Sequence, residues 1–558
     1  MVRLFSGSST PEHVVVGCRQ YPQVTWYKNG ALIHLHFLCA ILLLSSATNG
    51  YDGSMMNGLQ TLSYWRDAFD RPSASTLGLL NAIFSVGQVV GLPLVPFLAD
   101  HIGRKWTILL GSSLIFLGVI LQTVSINIGM FIAARFIIGL GIVYTQSCSP
   151  MLITELSHPQ YRARLTTIYN TLWYLGSIIA SWTTYGTLKM KSDWSWKTPS
   201  ILQAFPSVIQ LFLIWLVPES PRYHIVKGRH ETAKKIFQRF HGPASGQEFV
   251  ESEYQEVLET MELEKEFASH GISEMWSTRG NRHRLLIVVT AGIFSQTAGA
   301  SIVSYYIFLV LNQIGITDSD TQLIINGCIT IFNMTVATGM AFTVDRFGRR
   351  PLFLTATFGM CLAMTGWTVA SQQSQTTGTA AAGRAVIALI FVFNLFYNFA
   401  WSGLLIGYVV EISPFYLRSR YLTIMLLSVA AGSFFSNYVN PVALSNIEWK
   451  WYLCYIFWLV IQSVVVYFFY IETKGHTLET IAVCFDGESA KVGGEAATAK
   501  GRELLNNLDS PTKVATGVHV EHTSGGTETT TSPRPDSYPR SQSPSQSNEV
   551  DVEEVKTT

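Results

Sequence analysis

Twelve long apolar segments, separated by short polar stretches, set the pattern of this 558-residue chain. A bilayer core about 30 Å thick requires about 20 mostly apolar residues in each spanning helix, and these segments have that length. We therefore predict an all-α membrane protein with twelve transmembrane helices, at residues 33–56, 76–98, 106–125, 128–151, 164–186, 199–217, 284–312, 321–343, 351–371, 383–410, 420–441 and 450–471.

A polar, helix-favouring segment at 218–283 separates the first six predicted helices from the last six. We predict an N-terminal bundle over 33–217, a cytoplasmic linker of short helices over 218–283 and a C-terminal bundle over 284–471. Residues 1–32 form a cytoplasmic N-terminal segment in this scheme. The tail, 472–558, becomes rich in Ser, Thr, Pro, Gly and Glu, which cannot bury enough surface to offset ordering entropy, so we predict that most of it is disordered.

Two charged motifs occur twice. Residues 100–105 (DHIGRK) recur at 345–350 (DRFGRR), and residues 155–164 (ELSHPQYRAR) recur at 411–420 (EISPFYLRSR). The two elements keep their order and nearly the same separation, which indicates a duplicated membrane half.

Composition and charge restrict the class of protein. Hydrophobic residues make up 48% of the chain and charged residues 13%, which is about half the charged fraction of soluble domains and excludes a soluble enzyme. A net charge of +1 predicts no nucleic-acid partner. The seven cysteines are scattered without metal-ligand spacing, so we expect neither a metal nor a cofactor. Because successive helices alternate in direction, the loops that carry basic residues all fall on one side of the membrane. They contain Arg104, Arg162, Arg349 and Arg418, and they predict that this side and both termini are cytoplasmic.

The ordered motifs resemble the sugar porter family of the major facilitator superfamily over nearly all of residues 33–480, most closely its fungal lactose or cellobiose permease-type and hexose-transporting members. Besides the two loops, the resemblance rests on residues 50–53 (GYDG), 135–141 (RFIIGLG), 218–222 (PESPR) and 472–475 (ETKG). It implies the major facilitator fold, in which two six-helix bundles rock around a central site.

The resemblance also implies a cytoplasmic gate of paired charges. Acidic residues that face arginines across helix ends would hold that side closed. The alternative is that these charges only set topology and extend towards lipid headgroups. The gate positions are Asp100, Arg104, Glu155, Arg162, Glu219, Arg222, Asp345, Arg349, Glu411, Arg418 and Glu472.

Asp52 and Arg135 lie within apolar segments, where an ionisable side chain is costly and is presumed to be functional. Burial disfavours the charged carboxylate, whereas a nearby arginine favours it. They lie on separate predicted helices, so the pattern does not show whether they touch. The resemblance to proton-coupled members implies a proton-coupling pair, and a permanent structural ion pair is the alternative.

A sugar is neutral and covered with hydroxyls, so its site needs amides, hydroxyls and an aromatic face. The resemblance implies substrate contacts at positions that interhelical packing would otherwise explain. Gly299 permits a local break in the seventh helix. The positions are Asn170, Gln296, Ser301, Tyr305, Asn333 and Trp401.

We therefore predict a plasma-membrane transporter that imports a hexose or a disaccharide by proton symport, with sugar, proton and the lipid bilayer as its partners. Short side chains at Ser295 and Ser301 leave room for a disaccharide. Fold and gate do not determine the cargo, so a carrier or exporter of a polyol, a quinate-like compound or a secondary metabolite is an alternative. A nontransporting sugar sensor is another.

Overall fold

The first half of the chain forms a bundle of long helices. The computed structural model describes residues 13–16, 19–268, 273–341, 343–414, 417–475, 481 and 484–486. A short hairpin, which the sequence did not predict, precedes the helices. The elements are strands β1 (His13–Val16) and β2 (Arg19–Pro22), then α1 (Gly30–Thr61), α2 (Ser63–Ala68), α3 (Ala74–Gly91), α4 (Leu94–His101), α5 (Arg104–Thr123), α6 (Ile128–Leu156), α7 (Pro159–Thr187), α8 (Trp194–Leu202) and α9 (Phe205–Leu213).

Short helices connect this bundle to the next one. They carry few apolar residues. The first of them, α10, begins with a proline, at a position where the missing N–H would have no partner within the helix. They are α10 (Pro221–Val226), α11 (His230–Phe240), α12 (Gly242–Ser245), α13 (Gln247–Ala268) and α14 (Glu274–Ser277). We call the end of the molecule at which they lie the linker end, and the opposite end the far end.

The second half repeats the pattern of long helices. Gly299, with φ +106°, breaks the seventh predicted helix into α15 and α16 at the expected position. The elements are α15 (Arg279–Thr297), α16 (Ala300–Gln313), α17 (Ser319–Ala341), α18 (Val344–Phe347), α19 (Arg349–Thr377), α20 (Ala380–Ala400), α21 (Leu405–Ile412), α22 (Arg418–Ile447) and α23 (Lys450–Phe469).

Eleven helical segments in the described part of the chain are long and apolar enough to cross a bilayer. The remaining predicted span corresponds to α7, which has 29 residues but is more polar. It packs against α1 and α17. The prediction of an all-α membrane protein is confirmed. Residues 487–558, for which we predicted disorder, lie outside the described residues.

Among the described residues, the two halves meet mainly along four helix pairs: α3 with α22, α7 with α17, α1 with α16, and α1 with α17. Within the first half, α1 and α7 approach each other very closely. A Cβ at Gly50 would collide with the carbonyl group of Trp173, and one at Gly176 would collide with that of Ala47. Small residues allow such contact between membrane helices, and this contact positions the middle of α1, which carries Asp52.

Candidate functional site

Asp52 and Arg135 form a buried ion pair in the first half. Arg135 Nη1 lies 2.5 Å from Asp52 Oδ1, and the side chains are 1% and 0% exposed. The guanidinium also lies over the Phe84 ring, 5.0 Å from its centroid. Among the described residues, Asp52 Oδ2 and Arg135 Nε have no hydrogen-bond partner. The two side chains are therefore in contact, and each has one atom without a hydrogen-bond partner in the described part of the chain.

Two glutamines that the sequence analysis did not select extend this pair. Gln203, in the break between α8 and α9, donates through Nε2 to Asp52 Oδ1. Gln122 Nε2 in turn donates to Gln203 Oε1 at 3.1 Å. Both side chains are fully buried. The sequence feature that could have identified them is a glutamine within an apolar segment, because a buried amide needs hydrogen-bond partners.

The break at Gly299 brings polar groups of the second half together. Ser301 is buried, and its hydroxyl accepts a hydrogen bond from Asn440 Nδ2 at 2.9 Å. Gln296 is half-buried. Its backbone carbonyl oxygen accepts from Ser436 Oγ at 3.0 Å, and its side-chain Nε2 donates to Ser295 Oγ at 3.4 Å. Near the break, the Ser301 side chain and the Gln296 backbone therefore contact polar residues of α22.

Asn333 belongs to a hydrogen-bond chain that joins the two halves. Asn398 Nδ2 donates to Asn333 Oδ1 at 3.0 Å. Tyr174, on α7 of the first half, donates to Asn398 Oδ1 at 2.9 Å and also hydrogen-bonds Ser402. The sequence analysis missed Tyr174 and Asn398, since nothing local relates α7 to α20.

The remaining predicted substrate contacts differ in placement. Asn170 is exposed and lies one turn before Tyr174 on α7. The Tyr305 hydroxyl approaches α1 beside Asp52, because a Cβ at Gly53 would lie 3.7 Å from it. Trp401 is 1% exposed, and its Nε1 donates to Thr357 Oγ1 at 3.2 Å. Its polar edge is therefore directed at the protein in this structure.

Hydrogen bonds from both halves close the far end. Asn57 Nδ2 donates to Asn326 Oδ1 at 3.0 Å, and Ser319 Oγ donates to the carbonyl oxygen of Thr61 at 3.2 Å. Asn81 Nδ2 donates to the Tyr306 hydroxyl at 2.9 Å. The amides and the tyrosine are almost completely buried, so these contacts exclude water between the halves at this end.

At the linker end, the first half builds a charge cluster around Arg104. Its guanidinium lies 3.3 Å from Asp100 Oδ1 and 3.4 Å from Glu155 Oε2. The Glu219 carboxylate accepts from the backbone N–H groups of Arg104, at 3.0 Å, and Lys105, at 3.1 Å. An acidic side chain at the start of α5 complements the helix dipole. Burial raises the pKa of Glu219, against the opposing effect of these N–H donors.

The second half repeats this arrangement. Arg349 Nη2 lies 2.8 Å from Glu411 Oε1. The Glu472 carboxylate accepts from the backbone N–H groups of Arg349, at 2.9 Å, and Arg350, at 3.0 Å. Arg349 is the first residue of α19, as Arg104 is of α5. The sequence repeat therefore corresponds to a repeat in three dimensions. In each half, a glutamate that follows the last long helix caps the helix that begins at Arg104 or at Arg349.

A glycine with positive φ precedes each capped helix. Gly103 has φ +107° and Gly348 has φ +91°. A Cβ at these positions would collide with the carboxylates of Glu219 and Glu472, respectively. Glycine therefore suits these two positions for two reasons: it adopts the positive φ readily, and it leaves the space that the carboxylate fills.

The other gate positions are distributed around these clusters. Arg162 pairs with Glu253 of the linker, 3.7 Å away. Arg222 lies in α10, and Arg418 is the first residue of α22. Asp345 lies in α18, and its side chain is outside the described part of the structure.

A family model described as "Sugar (and other) transporter" matches residues 38–485. Hexose transporter HXT9 of Saccharomyces cerevisiae is 26% identical over 463 residues, covering 80% of this chain and 81% of that protein. MFS-type transporter criB of Aspergillus cristatus is 25% identical over 453 residues, covering 80% and 93%.

A solved structure matches as well. The proton:xylose symporter XylE of E. coli, bound to 6-bromo-6-deoxy-D-glucose, has a TM-score of 0.65 at 21% identity, covering 81% of this chain and 99% of that one. This match confirms the predicted fold.

Proposed function

This chain belongs to the sugar (and other) transporter family of the major facilitator superfamily, and from that premise we propose that it imports a hexose or a disaccharide together with protons. It is a multi-pass membrane transporter and not an enzyme. The proposal is that the two halves alternate around the cleft between them, so that no covalent step is required.

The Asp52–Arg135 pair is the observation that carries the proton part of the proposal. A protonated Asp52 loses most of its attraction for Arg135, whose Nε lacks a partner among the described residues. Release of the pair would change how α1 packs on α6. If substrate binding also depends on that packing, proton and sugar binding are linked thermodynamically, and each favours the other. XylE, which has this fold, is described as a proton:xylose symporter.

Tyr305 supplies a route for that linkage. Its hydroxyl approaches α1 beside Asp52, and its backbone carbonyl accepts from Gln60 Nε2 at 3.4 Å. It follows the break at Gly299 by less than two helical turns. A sugar that contacts Tyr305 would therefore affect the position of the α1 segment that carries Asp52.

The proposed sugar contacts offer amides and hydroxyls without a charge among them, which suits a neutral ligand. We assign Asn170, Gln296, Ser301, Tyr305 and Asn333 to this site. Trp401 joins it only in a state in which its bond to Thr357 is broken.

We further propose that the linker end is cytoplasmic, that both termini lie there, and that the protein resides in the plasma membrane. The clusters around Arg104 and Arg349 place basic residues at that end, as the positive-inside rule requires. The two glutamate-capped clusters, one within each half, would then line the cytoplasmic gate, and their internal pairs are formed in this structure. The closed far end would make this structure a cytoplasm-facing state.

The second candidate function is transport of a different neutral compound by the same mechanism. The matching family includes transporters of compounds other than sugars, and criB is described only as an MFS-type transporter. A polyol or a secondary metabolite would use the same amides and hydroxyls.

Uptake in a transporter-deficient yeast tests the proposal. Radiolabelled hexoses, pentoses, lactose, cellobiose and polyols are supplied while external pH is recorded, with Asp52→Asn beside the wild type. We expect uptake of at least one sugar with external alkalinisation, and loss of alkalinisation in Asp52→Asn. Uptake of a polyol alone would favour the second candidate. Absence of any uptake by protein at the cell surface would contradict both.

A further inference from the structure

Tyr174 is a residue of the first half whose hydroxyl lies among groups of the second half. It lies on α7, and its hydroxyl hydrogen-bonds Ser402 and Asn398. Asn398 is 4% exposed, and Ser402 lies between α20 and α21, where the helix is interrupted.

The directions of the hydrogen bonds follow from which groups can only accept. Asn398 Nδ2 donates to the carbonyl oxygen of Asn394 at 2.8 Å, and a carbonyl cannot donate. This bond fixes which end of the Asn398 amide is nitrogen. Its oxygen must then accept from Tyr174, and its second N–H must donate to Asn333 Oδ1, 3.0 Å away. The chain therefore runs in one direction, from Tyr174 through Asn398 to Asn333.

The orientation of Asn333 is the consequence. Its oxygen is engaged by Asn398, so its Nδ2 group, with two hydrogens, is the part left for a ligand. A half-buried amide held in this way offers donors to a hydroxyl oxygen. Without the Tyr174 hydroxyl, Asn398 Oδ1 would be left unpaired in a nearly buried position, which costs free energy and favours rotation of the amide.

We propose that Tyr174 is a positioning residue that, through Asn398, holds Asn333 with its Nδ2 group directed at an acceptor oxygen of the substrate. The proposal rests on the proposed function, because it concerns the sugar site of that mechanism. Since Tyr174 belongs to the opposite half, the same chain relates substrate binding at Asn333 to contact between the halves. Hydrogen bonds in such a chain strengthen one another, so loss of the first weakens the last.

Substrate analogues test the orientation. Each hydroxyl of the transported sugar is replaced in turn by hydrogen and by fluorine, and inhibition of uptake is measured for wild type and Tyr174→Phe. Fluorine can accept a hydrogen bond but cannot donate one. In the wild type we expect one position at which the deoxy compound binds about tenfold more weakly while the fluoro compound binds nearly as well as the sugar.

In Tyr174→Phe we expect KM to rise about threefold to tenfold with little change in kcat, and the difference between the deoxy and fluoro compounds to shrink. Tyr185→Phe, further along the same helix, is the matched control and should retain wild-type values. Equal losses for the deoxy and fluoro compounds at every position in the wild type would overturn the assigned orientation, and so would an unchanged KM in Tyr174→Phe.

A second measurement does not depend on the cargo. Melting temperatures of the purified protein are compared for Tyr174→Phe, Asn333→Ala and the double variant. Residues that act through one hydrogen-bond chain give non-additive effects, whereas independent residues give additive ones. Additivity would contradict the proposal even if no sugar were transported. Absence of sugar uptake by the wild type, with non-additive melting temperatures, would instead reject the proposed function alone.

Discussion

Asp52 and Arg135, on different helices of the first half, are in direct contact: 2.5 Å separates Asp52 Oδ1 from Arg135 Nη1, with both side chains shielded from solvent. A buried ion pair contributes little net stability, because desolvation of both charges offsets their attraction. Apolar side chains of similar size often replace a buried ion pair without loss of stability, so this pair suggests a role other than stability.

Arg135→Leu should destabilise the protein strongly, by about 3 to 5 kcal/mol, because it leaves the Asp52 carboxylate buried without its cation. The double variant Asp52→Asn, Arg135→Leu should recover most of this loss. Melting temperatures in detergent measure both effects, and Arg239→Leu in the linker is the control for loss of a surface arginine. A melting temperature of Arg135→Leu equal to that of the control would show that the pair is not formed.

Gly103→Ala and Gly348→Ala should each lower the melting temperature, because an alanine there combines an unfavourable positive φ with a collision against a capping glutamate. Strained backbone of this kind costs about 1 to 3 kcal/mol. Gly186→Ala is the matched control, since Gly186 lies in α7 with open space around it. Parallel losses at the two positions would support the repeated cap, and a neutral result at either would refute it there.

Tyr306→Phe should weaken closure of the far end. The Tyr306 hydroxyl accepts from Asn81 and donates to the carbonyl oxygen of Asn437 at 2.5 Å, so its loss leaves buried groups of both halves unpaired. The measurement is labelling of Phe308→Cys, a buried far-end position, by a membrane-impermeant maleimide in a cysteine-free background. We expect faster labelling with Tyr306→Phe and no change with Tyr438→Phe, which is exposed. Unchanged labelling would mean that this hydroxyl does not hold the halves together.

His158 makes the docking of the linker sensitive to acid. Burial, together with the charges of His241 and Arg162, lowers its pKa to about 3. An unfolded histidine takes up a proton near pH 6.5, whereas the folded one stays neutral. Its contribution to stability is therefore complete above about pH 6.5 and is lost progressively as pH falls towards 3.

Melting temperatures of wild type and His158→Gln should accordingly diverge with pH. Between pH 7.5 and pH 5.5 the wild type should lose more stability than the variant. His101→Gln, at an exposed position, should follow the wild type. A wild type that gains stability relative to His158→Gln on acidification would contradict the buried, neutral histidine.

Much of the fold follows from patterns that are local in sequence. Apolar segments of about 20 residues give the spans, and the glycine at 299 lies where the seventh helix breaks. α7 was predicted as a span at 164–186 from the length of its apolar segment, although its hydropathy is lower than that of the eleven other spans. It packs against α1 and α17.

The site itself depends on contacts between distant helices, which periodicity does not encode. Asp52 and Arg135 were each identifiable as buried charges, but their contact required the structure. Gln203 lies 151 residues from the aspartate to which it donates. Tyr174 was overlooked because a tyrosine in a membrane helix is unremarkable by itself, and only its contact with Asn398 gives it a role. Trp401 was selected as a ligand, yet packing against Phe353 and a bond to Thr357 hold it in the core.

The central claim is that protonation of Asp52 is linked to sugar transport. The most direct measurement is sugar accumulation in proteoliposomes under an imposed pH gradient, with Asp52→Asn as the comparison and the sugar identified by the uptake panel. We predict that the wild type concentrates the sugar above the external level when protons flow inwards, and that Asp52→Asn only equilibrates it or does not transport it. Accumulation by Asp52→Asn equal to that of the wild type would contradict the claim.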